Sequence, residues 1–128
     1  MSHFTTIQTK LVDAIALEQA LSDLKYRIAR NAQVRGWRGQ ITQADLVVQA
    51  TRNFDIGFIR SPQGSFDTVA DWWGVKEDGG IEQAAFLQQL MQRYAYRKVT
   101  SELQQRGFVI AEEATQADQS IRLLARKW

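Results

Sequence analysis

From about Ile81 to Arg106 one segment keeps a helical repeat without a break. Ala84, Leu87, Met91, Ala95, Val99 and Leu103 recur at i, i+3 and i+4, flanked by Phe86, Leu90 and Tyr94. Apolar residues at that spacing share one side of an α-helix, so the segment predicts a helix of about seven turns with a buried stripe. Gly107 follows as the residue able to take a left-handed conformation at the helix end. A long amphipathic helix cannot bury its stripe alone, so the rest of the chain must supply an apolar surface for it.

That surface reads as strands. His3–Leu11 is β-favouring in composition, and Lys25–Ala32 alternates, with Tyr26 and Ile28 on one face and Lys25 and Arg27 on the other. Asp45–Thr51 carries Leu46, Val47 and Val48, which suits a strand buried on both faces. Phe54, Ile56 and Phe58 alternate with Asp55 and Gly57. Ser61-Pro62-Gln63-Gly64 then has the residue order of a type I turn, leading to a partner strand over Ser65–Asp71. Phe108–Ala111 and Ile121–Lys127 read as two closing strands joined by the polar run from Glu112 to Gln119. Asp13 is a predicted N-cap, with Val12 and Leu17 at the positions of a hydrophobic staple and a first helix ending near Leu24. Residues 33–44 read as an irregular hairpin, and Lys76–Gly80 as a polar connection. The expected fold is α+β: a single antiparallel or mixed sheet of about six to seven strands, with two helices, the second long, packed on one face. One domain over residues 1–128 is expected from the length.

Several chemistries find no residues here. The chain has no cysteine, which removes disulfide scaffolds, iron–sulfur clusters and thiolate zinc sites, and fits a reducing compartment. Its one histidine, His3, lies at the N-terminus, and the acids Asp55, Asp67, Asp71, Glu77 and Asp78 are dispersed. On a regular strand Asp67 and Asp71 stand ~13 Å apart, too far to chelate together. Neither a P-loop nor a dinucleotide glycine motif is present. The opening residues lack the features of a secretory signal, and no apolar run approaches a membrane span. A metal and a cofactor are therefore not expected, and an enzyme, the third reading, would need Asp55 or Asp71 to lie in a pocket with another titratable group.

Three segments could carry function. Between Asp23 and Asp45 there is no acid, yet Lys25, Arg27, Arg30, Arg35 and Arg38 all fall there, with Gly36, Trp37 and Gly39 interleaved. Arginine forks beside an aromatic plane can hold phosphates and stack a base. Arg and Trp are equally the side chains that anchor protein interfaces. A solvated basic hairpin whose Trp packs on the sheet edge accounts for the same residues. The second segment, Val69–Val75, contains adjacent Trp72 and Trp73. On a strand these point to opposite faces, so one should pack under a helix and the other lie near the surface, in a ligand groove or simply at the strand end. The third is the basic-aromatic run Arg93, Tyr94, Tyr96, Arg97 and Lys98, which an amphipathic helix with a solvated basic face also explains.

Asn31–Gln40, Phe54–Phe58, Val69–Val75 and Gln92–Tyr96, with the opening Ser2-His3-Phe4 and closing Arg126-Lys127-Trp128, resemble the hypothetical chloroplast open reading frame thirty-five family. That family is a domain of unknown function encoded in algal plastid genomes, cyanobacteria and some of their phages. The resemblance implies a cyanobacterial cytoplasmic or plastid stromal protein and brings no catalytic residue with it. Together these readings lead to an accessory protein that binds an unidentified protein partner, with Arg35, Gly36, Trp37, Arg38, Trp72, Trp73, Arg93, Tyr94 and Arg97 as candidate contact residues. The alternative is a small RNA- or nucleotide-binding module using the same basic-aromatic surface. Salt separates them, because phosphate contacts weaken steeply with ionic strength.

Overall fold

The computed structural model describes residues 3–116 and 120–127. Ser2 and Trp128, part of the family resemblance, and residues 117–119 of the predicted polar run lie outside the described residues. The strands β1 (Thr5–Gln8), β2 (Ile28–Arg35), β3 (Ile41–Gln49), β4 (Asp55–Arg60) and β5 (Phe66–Ala70) form one sheet in the order β1-β5-β4-β3-β2, antiparallel throughout. The helices are α1 (Ala14–Asp23), α2 (Trp72–Gly79) and α3 (Gln83–Gln105), and β6 (Phe108–Thr115) pairs with β7 (Ile121–Lys127). The fold is α+β.

The main core is a layer between the helices and one sheet face. Leu17 and Leu21 of α1, Val75 of α2, and Phe86, Leu90 and Tyr94 of α3 pack on Leu46, Val48, Ile56, Phe58 and Phe66. Asp13 caps α1 by accepting from the Ala16 N–H at 3.0 Å. The helix closes with Lys25 in the left-handed region (φ 73), where the Tyr26 N–H donates to Leu21 O and the Lys25 N–H to Ser22 O. That is a Schellman closure built on a residue with a Cβ. The Ser61–Gly64 turn closes as expected, Gly64 N–H donating to Ser61 O at 3.0 Å. Gly107 (φ 85) ends α3.

Four expectations are corrected. The strands form two sheets, five-stranded and two-stranded, instead of one of six to seven. The 23 residues of α3 span about 34 Å, longer than any strand of the sheet, so the chain emerges past the sheet and β6 and β7 pair with each other. There are three helices among the described residues, not two: Asp71 caps α2 by accepting from Gly74 N–H, and Gly80 (φ 69) ends it, where the sequence reading has a strand end and a polar connection. The α3 face that enters the core is Phe86, Leu90 and Tyr94. Met91, Ala95 and Val99 of the expected stripe are exposed, because Phe86, Leu90 and Tyr94 are the larger side chains and bury more apolar area. Finally, Leu11, not Val12, is the fully buried residue before α1, so the Val12–Leu17 staple does not form.

The sheet does not stay flat. Residues two apart on a regular strand face the same side, yet Leu46 belongs to the helix-side core while Ala44 packs with Val34, Val47 and Val69 on the other face. The ladder between β2 and β3 skips from Arg30–Leu46 to Ala32–Ala44, and the residue passed over, Asn31, is left-handed (φ 50). This kink turns the outer half of the β2–β3 hairpin over, so the strands persist through most of the stretch expected to be an irregular hairpin. Val34 comes to rest, fully buried, above Gly57 of β4, although β2 and β4 are not ladder neighbours. A Cβ at Gly57 would overlap Val34 and crowd Ala44 and Val69. Gly57→Ala should therefore cost about 1–3 kcal/mol in denaturant unfolding, as overpacked cores do. Lys25→Gly should stabilise by about 1 kcal/mol by relieving the left-handed closure, read in the same assay.

Candidate functional site

The loop between β2 and β3 is short and tightly bonded. Gly36 N–H donates to Gln40 O at 2.8 Å and Gln40 N–H to Trp37 O at 3.0 Å, closing a 3₁₀ turn over Trp37–Gly39. Arg38 (φ 52) and Gly39 (φ 77) are both left-handed. Gly36 packs against the Phe4 ring, where a Cβ would come within 2.7 Å of Phe4 Cζ. Its missing side chain thus serves a close internal approach. Trp37 and Arg38 are turned outward, with the Arg38 guanidinium 5.3 Å from the Trp37 ring centroid.

A second segment meets them from α2. Phe54 lies under Gly74 and Thr51 under Gly79, each in the space a Cβ would take. The Asp78 carboxylate accepts from Thr51 Oγ1 at 2.6 Å and from Asn53 N–H at 3.1 Å, which holds its pKa below the usual carboxylate value. These contacts seat α2 on the β3–β4 turn. Neighbours on a helix lie ~100° apart, and Trp72 accordingly points inward, 5.9 Å from the Phe86 ring, while Trp73 points out. Trp73 meets Trp37 edge to face, with centroids 6.2 Å apart and planes at 86°. Trp37 stays 37% and Trp73 53% exposed. One Trp in and one out is the expected division, achieved on a helix instead of a strand.

Arg35 ends β2, just before this loop. Its Nε and Nη2 donate to the two oxygens of Asp55 at 2.8 and 3.0 Å, Nη1 donates to Arg52 O at 3.0 Å, and its backbone N–H also reaches Asp55 at 2.8 Å. The Asp55 side chain is 6% exposed, and its hydrogen bonds hold the guanidinium above its ordinary pKa. Arg35 is thus a bolt between β2 and β4, with one edge of its fork still facing solvent.

The α3 candidates serve α1. Arg93 Nε and Arg97 Nε both donate to Asp23 at 2.7 Å, and Arg97 Nη2 donates to its other oxygen at 2.5 Å. Those bonds, Arg97's foremost, push the Asp23 pKa down to about 2 against the opposing effect of burial. The Tyr94 ring is buried, and its hydroxyl accepts from the backbone N–H groups of Val12 and Asp13 at 3.2 and 3.0 Å. Lys98 pairs with Asp13 at 3.1 Å. Both ends of α1 are therefore tied to residues 93–98, and α1 must lie across α3.

The structure thus brings together Trp37, Arg38 and Trp73, with Arg35 and Gly36 supporting them, while Trp72, Arg93, Tyr94 and Arg97 are engaged in packing. The acids that engage these arginines, Asp55 and Asp23, are absent from the candidate contact residues. The signal available for Asp55 was a carboxylate set between apolar Phe54 and Ile56. Among the described residues no group of three or more His, Asp or Glu could hold a metal ion, and no helix is long and apolar enough to cross a membrane. Asp23 titrates lower when folded than the 3.8 of an unstructured Asp. Its contribution is therefore complete above the unfolded value and lost as pH falls toward about 2. Asp23→Asn should remove that acid-side dependence and cost about 1–2 kcal/mol at neutral pH, measured by unfolding across pH.

Comparison with known proteins places relatives along the whole chain. Residues 20–124 match the family described as "Protein of unknown function (DUF1257)". The uncharacterized protein ycf35 of Cyanophora paradoxa is 35% identical over 129 residues, covering 100% of this chain and 98% of the relative. The protein of the same name in Guillardia theta is 35% identical over 130 residues, and that of Pyropia yezoensis 30% over 129, with the same coverage. No solved structure matches.

Proposed function

The chain belongs to the DUF1257 family, and we propose that within it this protein is a non-catalytic accessory protein that binds a protein partner through Trp37, Trp73 and Arg38. The compartment implied by the family resemblance is the cyanobacterial cytoplasm or the plastid stroma. The observation that carries the reading is the exposed, edge-to-face tryptophan pair. Its two members come from segments remote in sequence, each seated by a close-packed glycine, Gly36 on Phe4 and Gly74 on Phe54. Tryptophans held rigid and left half-exposed lose little entropy on binding, and they anchor interfaces with a neighbouring Arg. Charge supports a protein over a nucleic acid. Arg35, Arg93 and Arg97 are all paired with acids of this chain, which leaves few cations of the candidate set for a phosphate backbone. One observation favours the RNA- or nucleotide-binding reading: Arg38 beside Trp37 combines a cation with a π-face.

The test is capture from native lysate by the intact chain and by a Trp37→Ala/Trp73→Ala variant, with and without nuclease and over a range of salt. The expected result is a protein retained through nuclease treatment and weakened about 30-fold or more in the variant, which still unfolds cooperatively. Recovery of nucleic acid alone, with a steep loss at higher salt, would overturn the reading.

A further inference from the structure

The kink at Asn31 leaves a hollow of about 310 Å³ on the sheet face away from the helices. Its floor is small and apolar, made by Ala29, Ala32 and Val47. Arg27, Arg35, Gln33 and Gln49 supply its polar lining. We propose that this hollow is a binding site for a small organic dianion, with carboxylate or phosphate groups at the two ends of a short apolar middle.

Charge comes first. Of the five cations in the acid-free window, Arg30 pairs with Glu18 and Arg35 with Asp55, whereas Arg27 has no acidic partner among the described residues. The one carboxylate lining the hollow, Asp55, is already bonded to Arg35. An anion entering therefore meets two guanidinium groups, Arg27 without an acidic partner and Arg35 shared with Asp55. Geometry comes second. A guanidinium has five N–H donors, and Arg35 places three of them on Asp55 and Arg52 O. Two remain, on a side chain that is 43% exposed and fixed in position, so offering them costs little ordering entropy.

Shape decides the class. Arg27 precedes β2 and Arg35 ends it, at most about 26 Å apart along an extended strand and closer across the kink. Two cationic heads from opposite ends of β2 around a small apolar lining suit a molecule with an acid at each end, its middle lying on Ala29, Ala32 and Val47. The volume is at the lower end for small-molecule sites and fits a chain of modest length. The hollow contains none of Trp37, Arg38 and Trp73, although Arg35 borders both places, so the tryptophan variant and the Arg27 variant test the two readings separately.

The experiment is an amide NMR titration of the full chain with suberate, succinate, inorganic phosphate and the uncharged diol matching suberate. Suberate is expected to shift the amides of Ala29, Ala32, Gln33 and Val47 saturably, more tightly than succinate or phosphate, with the diol inert. Arg27→Gln should weaken suberate binding about tenfold without moving the melting temperature, as loss of a charged hydrogen bond does. Arg30→Gln, the control, should leave it unchanged. Absence of shifts at these amides up to about 10 mM suberate, phosphate or diol binding as tightly as suberate, or an Arg27→Gln variant that binds normally, would each overturn the proposal.

Discussion

Asp55 accepts from the Arg35 backbone N–H and from both arms of its guanidinium fork, joining two strands that are not neighbours in the sheet. The carboxylate is nearly buried, so it requires these bonds, and they are available only if β2 curls back over β4. Three features make the curl possible. Asn31 is left-handed and kinks β2, Gly57 has no side chain in the way of Val34, and Gly36 admits the Phe4 ring at the end of the hairpin. The ion pair fixes the wrap together with the burial of Val34 over Gly57. The second apolar cluster, the position of Trp37 and the hollow beside Arg27 all depend on that wrap.

The same pairing logic governs the helical side. Asp13 and Asp23 stand at the two ends of α1, and each is bonded to α3, one by Lys98 and the other by Arg93 and Arg97. Tyr94 adds a buried hydroxyl that accepts the two N–H groups preceding the helix. Cations that look surplus along the chain thus close elements onto one another. A formal net charge of +2 reflects this internal neutralisation better than a local count of arginines does. Of the candidate arginines only Arg38 has no acid against it among the described residues, and it lies over the Trp37 ring.

Much of the fold was legible. The Ser61–Gly64 turn, the Asp13 cap, the doubly buried strand at Leu46–Val48 and the long helix ending at Gly107 each rest on local rules that the structure obeys. Helix α2 was not, because its eight residues are too few to establish a period and two adjacent tryptophans resemble a strand. On α3 two stripes have helical spacing, and only packing decides that Phe86, Leu90 and Tyr94 go inward. Within the candidate site, the residue types were legible and their grouping was not. Arg35 and Arg38 read alike, three positions apart, yet one is bolted to Asp55 and the other lies over Trp37.

By itself the sequence determined the α+β class, the absence of cysteine chemistry and the concentration of Arg, Gly and Trp between Asp23 and Asp45. These follow from composition and from periods of two or three to four residues, which act over one or two turns of chain. Only the tertiary structure decided that β6 and β7 stand apart, that Trp37 meets Trp73, and that Arg35, Arg93 and Arg97 face inward to acids. Each of those depends on which remote segments a twisted sheet and a crossing helix bring within hydrogen-bond or ring-contact distance, and no local pattern encodes that distance.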